Sequence, residues 1–200
     1  MKKPIVSKHK INSLIKYRWS PRAFDDRELE KEKIWRILEA ALWAPSAFNE
    51  QPWRFMVGLK GSESYEKVLS TLGEWNQKWA GNASMLVLNM AKKTFTHNNK
   101  PNVTYKYDLG QAVAFMCLEA MNLGIFSHQM SGFSPEKAGQ LFQIPEDFEP
   151  VSVTAFGYYG DPKTLPEDMY KSEIAERNRK SVDQMFFTDS FGKESTLFKK

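Results

Sequence analysis

One cysteine and three histidines are all that 200 residues contain of either type. A single thiol excludes an intramolecular disulfide and any Cys-x-x-Cys metal site. Cys117 sits inside the apolar run "VAFMCLEAM", which suits a packed thiol better than a nucleophile. The chain has no convincing Ser/His/Asp set, no metal-ligand cluster and no Walker loop, and the glycine pair in "GYYGD" does not make a dinucleotide fingerprint. No apolar run approaches the roughly 18 residues of a membrane span. The N-terminus is basic without the apolar core of a secretory signal, so no membrane association and a cytoplasmic, reducing setting are expected, and the sequons at Asn82 and Asn102 are then accidental. Charge of one sign is scarce too. The formal net charge is only +4, and the lysines and arginines are dispersed, which argues against a nucleic-acid surface and is compatible with a phosphate-bearing ligand.

What is present is a full complement of core-forming residues. Hydrophobic side chains make up 42% and aromatic ones 14%, enough to bury one substantial core and to exclude disorder except at the ends. Without a Pro/Gly/Ser linker or an internal repeat, residues 1–200 read as a single domain. Helical spacing appears in "INSLIKYRW", in "DRELEKEKIWRILEAAL", in "SESYEKVLSTLGEWNQKWA" and most continuously in "DLGQAVAFMCLEAMNLG", which ends at Gly124. "SPEKAGQLFQI" opens with a Ser134-Pro135 helix start. "WRFMVG", "SMLVLNMAK" and "EPVSVTAFGYYG" read as strands. From about Leu165 the pattern dissolves into a charged tail. Helices first, and strands mostly separated by helices, predict an α+β sandwich with a mixed central sheet.

Two polar stretches interrupt this pattern. "APSAFNEQPWRF" places Pro45, Ser46, Asn49, Gln51 and Pro52 between a helix end and a strand. Prolines stop the helix and fix the loop, and the amides and hydroxyl supply hydrogen-bonding groups to a ligand there. A connecting turn whose amides cap the helix uses the same residues. In "YRWSPRAFDD", Arg18, Ser20 and Arg22 alternate around Trp19 and Pro21, so in an extended segment they share one side. Two guanidinium groups flanking a hydroxyl suit an anion such as a phosphate; a solvated surface run beside Asp25 and Asp26 is the competing reading. "ERNRKS" repeats the basic spacing with Arg177 and Arg179, and alone it is ordinary.

Taken together and in order, "YRWSPRAFDD", "APSAFNEQPWRF", "LGIFSHQMSGFSPEKAGQLFQIPEDFEPVSVTAFGYYGD" and "ERNRKSVDQM" resemble the nitroreductase family of FMN-dependent oxidoreductases, over about residues 9 to 185. The Pro-Ser-x-x-Asn-x-Gln-Pro-Trp element is the most specific part, and it is matched completely. The resemblance implies that Arg18, Trp19, Ser20 and Arg22 surround the FMN phosphate, ribityl chain and ring edge. It implies that Asn49, in the element begun by Pro45 and Ser46, contacts the isoalloxazine, with Gln51 close behind. "MSGF" would pass the flavin ring, with Met130 leading in and Ser131 and Gly132 offering backbone amides, and Arg177 and Arg179 would close on the phosphate. It further implies a homodimer with FMN at the interface, and a tail from about residue 181 that lies on the partner or is mobile.

The missing catalytic triads then need no replacement, because a flavin carries the electrons and the protein supplies position, charge and access. Arg22 would stabilise the reduced ring. The implied reaction is two-step: NADH or NADPH reduces FMN, which then reduces a nitroaromatic, quinone or similar flat acceptor. Residues 92 to 107 would form a variable segment over the pocket, where Trp43, Phe48 and Phe133 could stack on an acceptor; for Trp43 plain core packing is the favoured expectation. His128 reads as a pocket liner or as a hydrogen-bonded structural histidine. The alternatives are a non-catalytic FMN-holding redox sensor or partner-binding regulator, another flavin reaction of the same fold, and, least supported, a nucleic-acid binder.

Overall fold

The computed structural model describes residues 3, 5, 9–193 and 195. Its helices begin where the sequence offers caps. Asn12 accepts from the Leu14 N–H at the start of α1 (Ser13–Tyr17), and Ser62 accepts from the Tyr65 N–H at the start of α3 (Glu63–Thr71). Ser134 does the same for the Lys137 N–H ahead of α6 (Pro135–Phe142). The second helix, α2 (Lys31–Leu42), is shorter than its apolar pattern suggested, because the backbone is still extended at Glu30. The long third helix is in fact two, α3 and α4 (Glu74–Ala80), separated at Leu72 and Gly73. There the chain is pulled extended: Leu72 bridges Phe133, and the Gly73 N–H donates to the Gly132 carbonyl at 3.0 Å. The central helix α5 (Tyr105–Asn122) ends before Gly124, whose φ of 74° turns the chain back.

Four strands form one sheet in the order β1-β2-β4-β3: β1 (Trp53–Leu59), β2 (Met85–Lys92), β3 (Phe126–Met130) and β4 (Phe148–Gly157). The α+β layering is as expected. The sheet, however, is not mixed among the described residues, since every pairing is antiparallel. β2 and β3 do run in the same direction, as strands joined by a single helix tend to. β4 inserts between them, so no two hydrogen-bonded neighbours are parallel. Two further departures matter below. β3 escaped the periodicity reading, and α7 (Glu167–Ile174) orders part of the expected charged tail through buried Met169 and Glu173.

Each sheet face is sealed by its own helices. Tyr65, Val68, Trp79, Ala138 and Met169 from α3, α4, α6 and α7 pack on Leu86, Leu88, Val153 and Ala155. Ile37 and Ala41 of α2 and Leu109, Val113 and Met116 of α5 cover Met85, Val87 and Phe156. α3 lies so close to β1 that a Cβ on Gly58 would sit 2.5 Å from the Tyr65 backbone. At about 1.5–3 kcal/mol per fully buried large apolar side chain, these two layers supply most of the driving force for folding. Cys117 is packed on α5 at 3% exposure, with its thiol pKa pushed up by burial. Trp43 is a correction: it is 77% exposed, because it caps the C-terminus of α2 as the chain leaves the core. Of the tail, Met185, Phe186 and Phe191 are exposed, and residues 194 and 196–200 lie outside the described residues.

Candidate functional site

Residues 18–23 form an extended segment running past the end of β3. Trp19 and Pro21 turn inward, and Arg18, Ser20 and Arg22 remain partly exposed. The inward tryptophan packs on Phe126 and Tyr159, with ring centroids 6.1 and 5.5 Å away. Its indole N–H has no partner among the described residues, and neither has the Tyr159 hydroxyl. Arg18 donates through Nη1 to Ser20 Oγ at 3.3 Å. Arg22 donates through Nη1 to Ser172 Oγ at 3.5 Å.

The backbone of this segment is held by two side chains from distant elements, buried Glu173 and half-buried His128. The Glu173 carboxylate accepts the Arg22 N–H at 3.0 and 3.1 Å and the Ala23 N–H at 3.2 Å. His128 Nδ1 lies 2.9 Å from the Pro21 carbonyl oxygen, a geometry that makes Nδ1 the protonated nitrogen and the carbonyl the acceptor. The ring packs on Trp79 at 4.5 Å. Burial pushes its pKa down to about 4, with the nearby positive charges of Arg22 and Arg18 acting in the same direction. His128 is therefore the neutral structural histidine of the two readings.

Arg177 and Arg179 come to this same place. Arg177 Nη1 donates to the carbonyls of Lys3 and Lys16 at 2.9 and 3.1 Å. Its pKa is lowered, first by burial and then by the positive charges of Arg18 and Arg179. Arg179 is exposed and donates to its neighbour's carbonyl, that of Asn178, at 2.7 Å. Among the described residues no carboxylate pairs with the guanidinium of Arg18, Arg22, Arg177 or Arg179. Such a group of like charges is unfavourable by itself and is relieved by an anion.

Beyond β3, Met130 is buried in the core, and Ser131 and Gly132 are exposed. The Gly132 carbonyl accepts from the Gly73 N–H and from Asn76 Nδ2, both at 3.0 Å. A Cβ at position 132 would lie 2.8 Å from Asn76 Nδ2, so a larger residue there would displace the Asn76 side chain.

The Pro45–Gln51 loop is made differently. Within a single 3-10 turn over Ala47–Asn49 the backbone is left-handed at Phe48 (φ 54°) and Asn49 (φ 54°), and it is left-handed again just beyond it at Gln51 (φ 49°). Three non-glycine residues in that region within four positions cost on the order of 1–3 kcal/mol each, a concentration of strain characteristic of functional loops. Bonds within the loop and to its neighbours hold that shape: the Ser46 carbonyl accepts the Asn49 N–H at 3.1 Å, the Ala47 carbonyl accepts the Glu50 N–H at 3.0 Å, and the Glu50 carboxylate accepts the Thr96 N–H at 2.9 Å. Ser46 Oγ accepts the Gln51 N–H at 3.0 Å, Gln51 Nε2 donates to the Asn49 carbonyl at 3.1 Å, and buried Asp108 of α5 accepts the Ala47 N–H at 3.1 Å. Gln111 Nε2 reaches the Pro45 carbonyl only at 3.5 Å. Phe48 is 84% exposed and meets Phe95 and His97 of the 92–107 segment, with ring centroids 5.6 and 6.0 Å apart.

The expected site residues thus fall into two groups. The arginines, Ser20 and the 130–132 turn gather around β3, and Pro45, Ser46, Asn49 and Gln51 gather at the start of α5. No hydrogen bond, ion pair or ring contact among the described residues joins the two. Glu173, Ser172 and Tyr159 escaped sequence reasoning. Their contacts span about 150 residues of chain, and the only trace in sequence was the acid at the end of a weak amphipathic pattern.

The nitroreductase family model matches residues 15–158. The chain belongs to the nitroreductase family. A protein of Methanothermobacter thermautotrophicus, provisionally named an NADH dehydrogenase/NAD(P)H nitroreductase, is 44% identical over 160 residues, covering 76% of this chain and 79% of that one. A protein of the same provisional name from Archaeoglobus fulgidus is 32% identical over 160 residues, covering 77% and 88%. Among solved structures, one described as an oxidoreductase containing FMN is 34% identical, with a TM-score of 0.89, and covers 94% of this chain and 96% of that one. A nitroreductase-family protein of Clostridium difficile is 26% identical, with a TM-score of 0.69 and coverages of 88% and 96%. The fold of this nitroreductase-family chain is therefore that of FMN-containing oxidoreductases. No helix among the described residues is long and apolar enough to cross a membrane.

Proposed function

We propose that the chain is an FMN-dependent oxidoreductase that takes reducing equivalents from NADH or NADPH and delivers them to a nitroaromatic, quinone or similarly flat acceptor. The observation that carries this reading is the convergence of Arg18, Arg22, Arg177 and Arg179 without a paired carboxylate among the described residues, with Ser20 between the first two. That donor set fits the FMN phosphate. Arg18, Ser20 and Arg22 would hold the phosphate and ribityl end, with Arg179 free to close over it. Asn49 and Gln51 would bind the ring through their amides, and Ser131 and Gly132 would line its other edge. When bound, FMN supplies the electron relay between nicotinamide and acceptor. The protein's part is to orient both partners in turn and to keep water from the ring.

The reading includes a homodimer with residues of both chains at each site. Two facts support it: among the described residues no bond joins the two site groups, and an apolar groove of about 630 Å³ lies open between α2 and β1, lined by Trp35, Leu38, Leu42, Trp53 and Phe55. Phe191, 95% exposed in the tail, also calls for a covering surface.

The test is spectroscopic. Protein loaded with FMN should be yellow, bleach rapidly on anaerobic addition of NADH or NADPH, and regain its colour when a quinone is added. Flavin that binds but is reduced only over hours would support the non-catalytic sensor instead, and protein that cannot be loaded with FMN would overturn the reading.

A further inference from the structure

Glu173 is 1% exposed, yet among the described residues no lysine or arginine nitrogen lies within ion-pair distance of its carboxylate. Its bonds go to the backbone N–H groups of Arg22 and Ala23. A buried carboxylate is costly unless well satisfied, and this one lies in the last turn of α7, where the helix dipole disfavours a negative charge. Its place is therefore not explained by the helix that carries it. What it does hold is the segment that gives Arg18 and Arg22 to the cationic cluster. The preceding residue in α7, Ser172, accepts from the Arg22 guanidinium itself. Lys3 donates to the Glu173 carbonyl and, at 2.8 Å, to that of Ala175, which ties the end of α7 down from the other side.

We propose that Glu173 is the positioning residue of the anion cradle: by fixing the Arg22 and Ala23 amides it sets the direction in which Arg22 presents its guanidinium to a phosphate monoester. This assignment rests on the flavin reading above and adds to it a residue that does not touch the ligand. Two effects oppose each other when the charge is removed. Loss of a nearby negative charge would tighten an anion, whereas loss of charge-assisted backbone bonds would let the Arg22 segment drift and loosen it. The carboxylate bonds the Arg22 and Ala23 backbone and makes no ion pair with the Arg22 guanidinium among the described residues, so the positional effect dominates.

The decisive comparison is the affinity for FMN against that for riboflavin, which lacks the phosphate, measured by quenching of flavin fluorescence. In the wild type FMN should bind at least about tenfold more tightly. Glu173→Gln should weaken FMN about tenfold while changing riboflavin less than about twofold, and on an Arg22→Ala background it should have no further effect on the ratio. A general loss of structure would weaken both flavins together. An unchanged ratio, or tighter FMN binding, in Glu173→Gln overturns the assignment alone. Wild-type protein that binds neither flavin overturns both this assignment and the functional reading. If the amide variant does not fold, Glu173→Asp, which keeps the charge but withdraws it, must lower the ratio, and an unchanged ratio there is equally fatal.

Discussion

The two halves of the candidate site are stabilised in opposite ways. The Arg18–Arg22 segment has no left-handed residue and is fixed from beneath by half-buried His128 of β3 and buried Glu173 of α7. The Pro45–Gln51 loop holds a strained backbone through its own bonds and through contacts to α5 and the 92–107 segment, and it exposes most of Phe48. The contrast suits different tasks. Under the flavin reading proposed above, a phosphate would be bound best by charges on a fixed segment, and a ring that admits two partners in turn would be served by a loop whose backbone shape is set.

The most drastic way to break the first half is to remove its charges. In FMN titrations Arg18→Ala and Arg22→Ala should each weaken binding by about 10- to 150-fold, because a charge-assisted bond is worth about 1.5–3 kcal/mol. Arg179→Ala, at an exposed position, should fall at or below the lower end. Unchanged affinity in all of them would show that the phosphate lies elsewhere.

Acid should sharpen the comparison. His128 has a pKa of about 4 in the fold against an ordinary 6.5, so its neutral form is the one the fold favours. The stability this brings is fully present above pH 6.5 and is lost as the pH falls from 6.5 towards 4, where the unfolded chain takes up a proton that the folded one refuses. The loss should reach about 2–3 kcal/mol, the ring being only partly sealed from solvent. Denaturant melts of wild type and His128→Asn across that range measure it. The variant should lack the steep part of the dependence, and equal slopes would contradict the assignment.

The second half should respond more weakly. Ser46→Ala removes the acceptor of the Gln51 N–H and should cost about 1 kcal/mol of stability in the same melts. Asn49→Gly should relieve left-handed strain and so raise stability by up to about 1 kcal/mol while weakening flavin binding. A variant that loses both stability and binding would show the loop conformation to be maintained by the Asn49 side chain rather than at its expense. Smallest of all, Trp43→Ala should leave the stability of a separate chain within about 0.5 kcal/mol, since the ring is exposed. A dilution series by light scattering on that variant would reveal any role in association.

Much of this was legible in the sequence, for identifiable reasons. Pro45 and Pro52 bracket a loop whose composition has few other uses, and the alternation of Arg18, Ser20 and Arg22 with Trp19 and Pro21 needs only an extended backbone to become a one-sided array. The less legible parts depend on long-range contacts. β3 is a five-residue edge strand, "FSHQM", in which polar residues occupy both faces, so its alternation carries no hydrophobic signal. The break at Gly73 exists because Gly132 and Phe133 bond there, not because of any local breaker stronger than a glycine. α7 is held by Met169 and by Glu173, whose partners lie about 150 residues away, and local pattern records only its charged exterior. Trp43 looked like core because aromatic content implies burial only on average.

The most direct test of the account is a crystal structure of the FMN-loaded protein. The account predicts the phosphate within hydrogen-bonding distance of Arg18, Ser20 and Arg22, with the flavin ring against Asn49 and Gln51. A phosphate bound away from that cluster, or a ring that leaves the Pro45–Gln51 loop untouched, would contradict it.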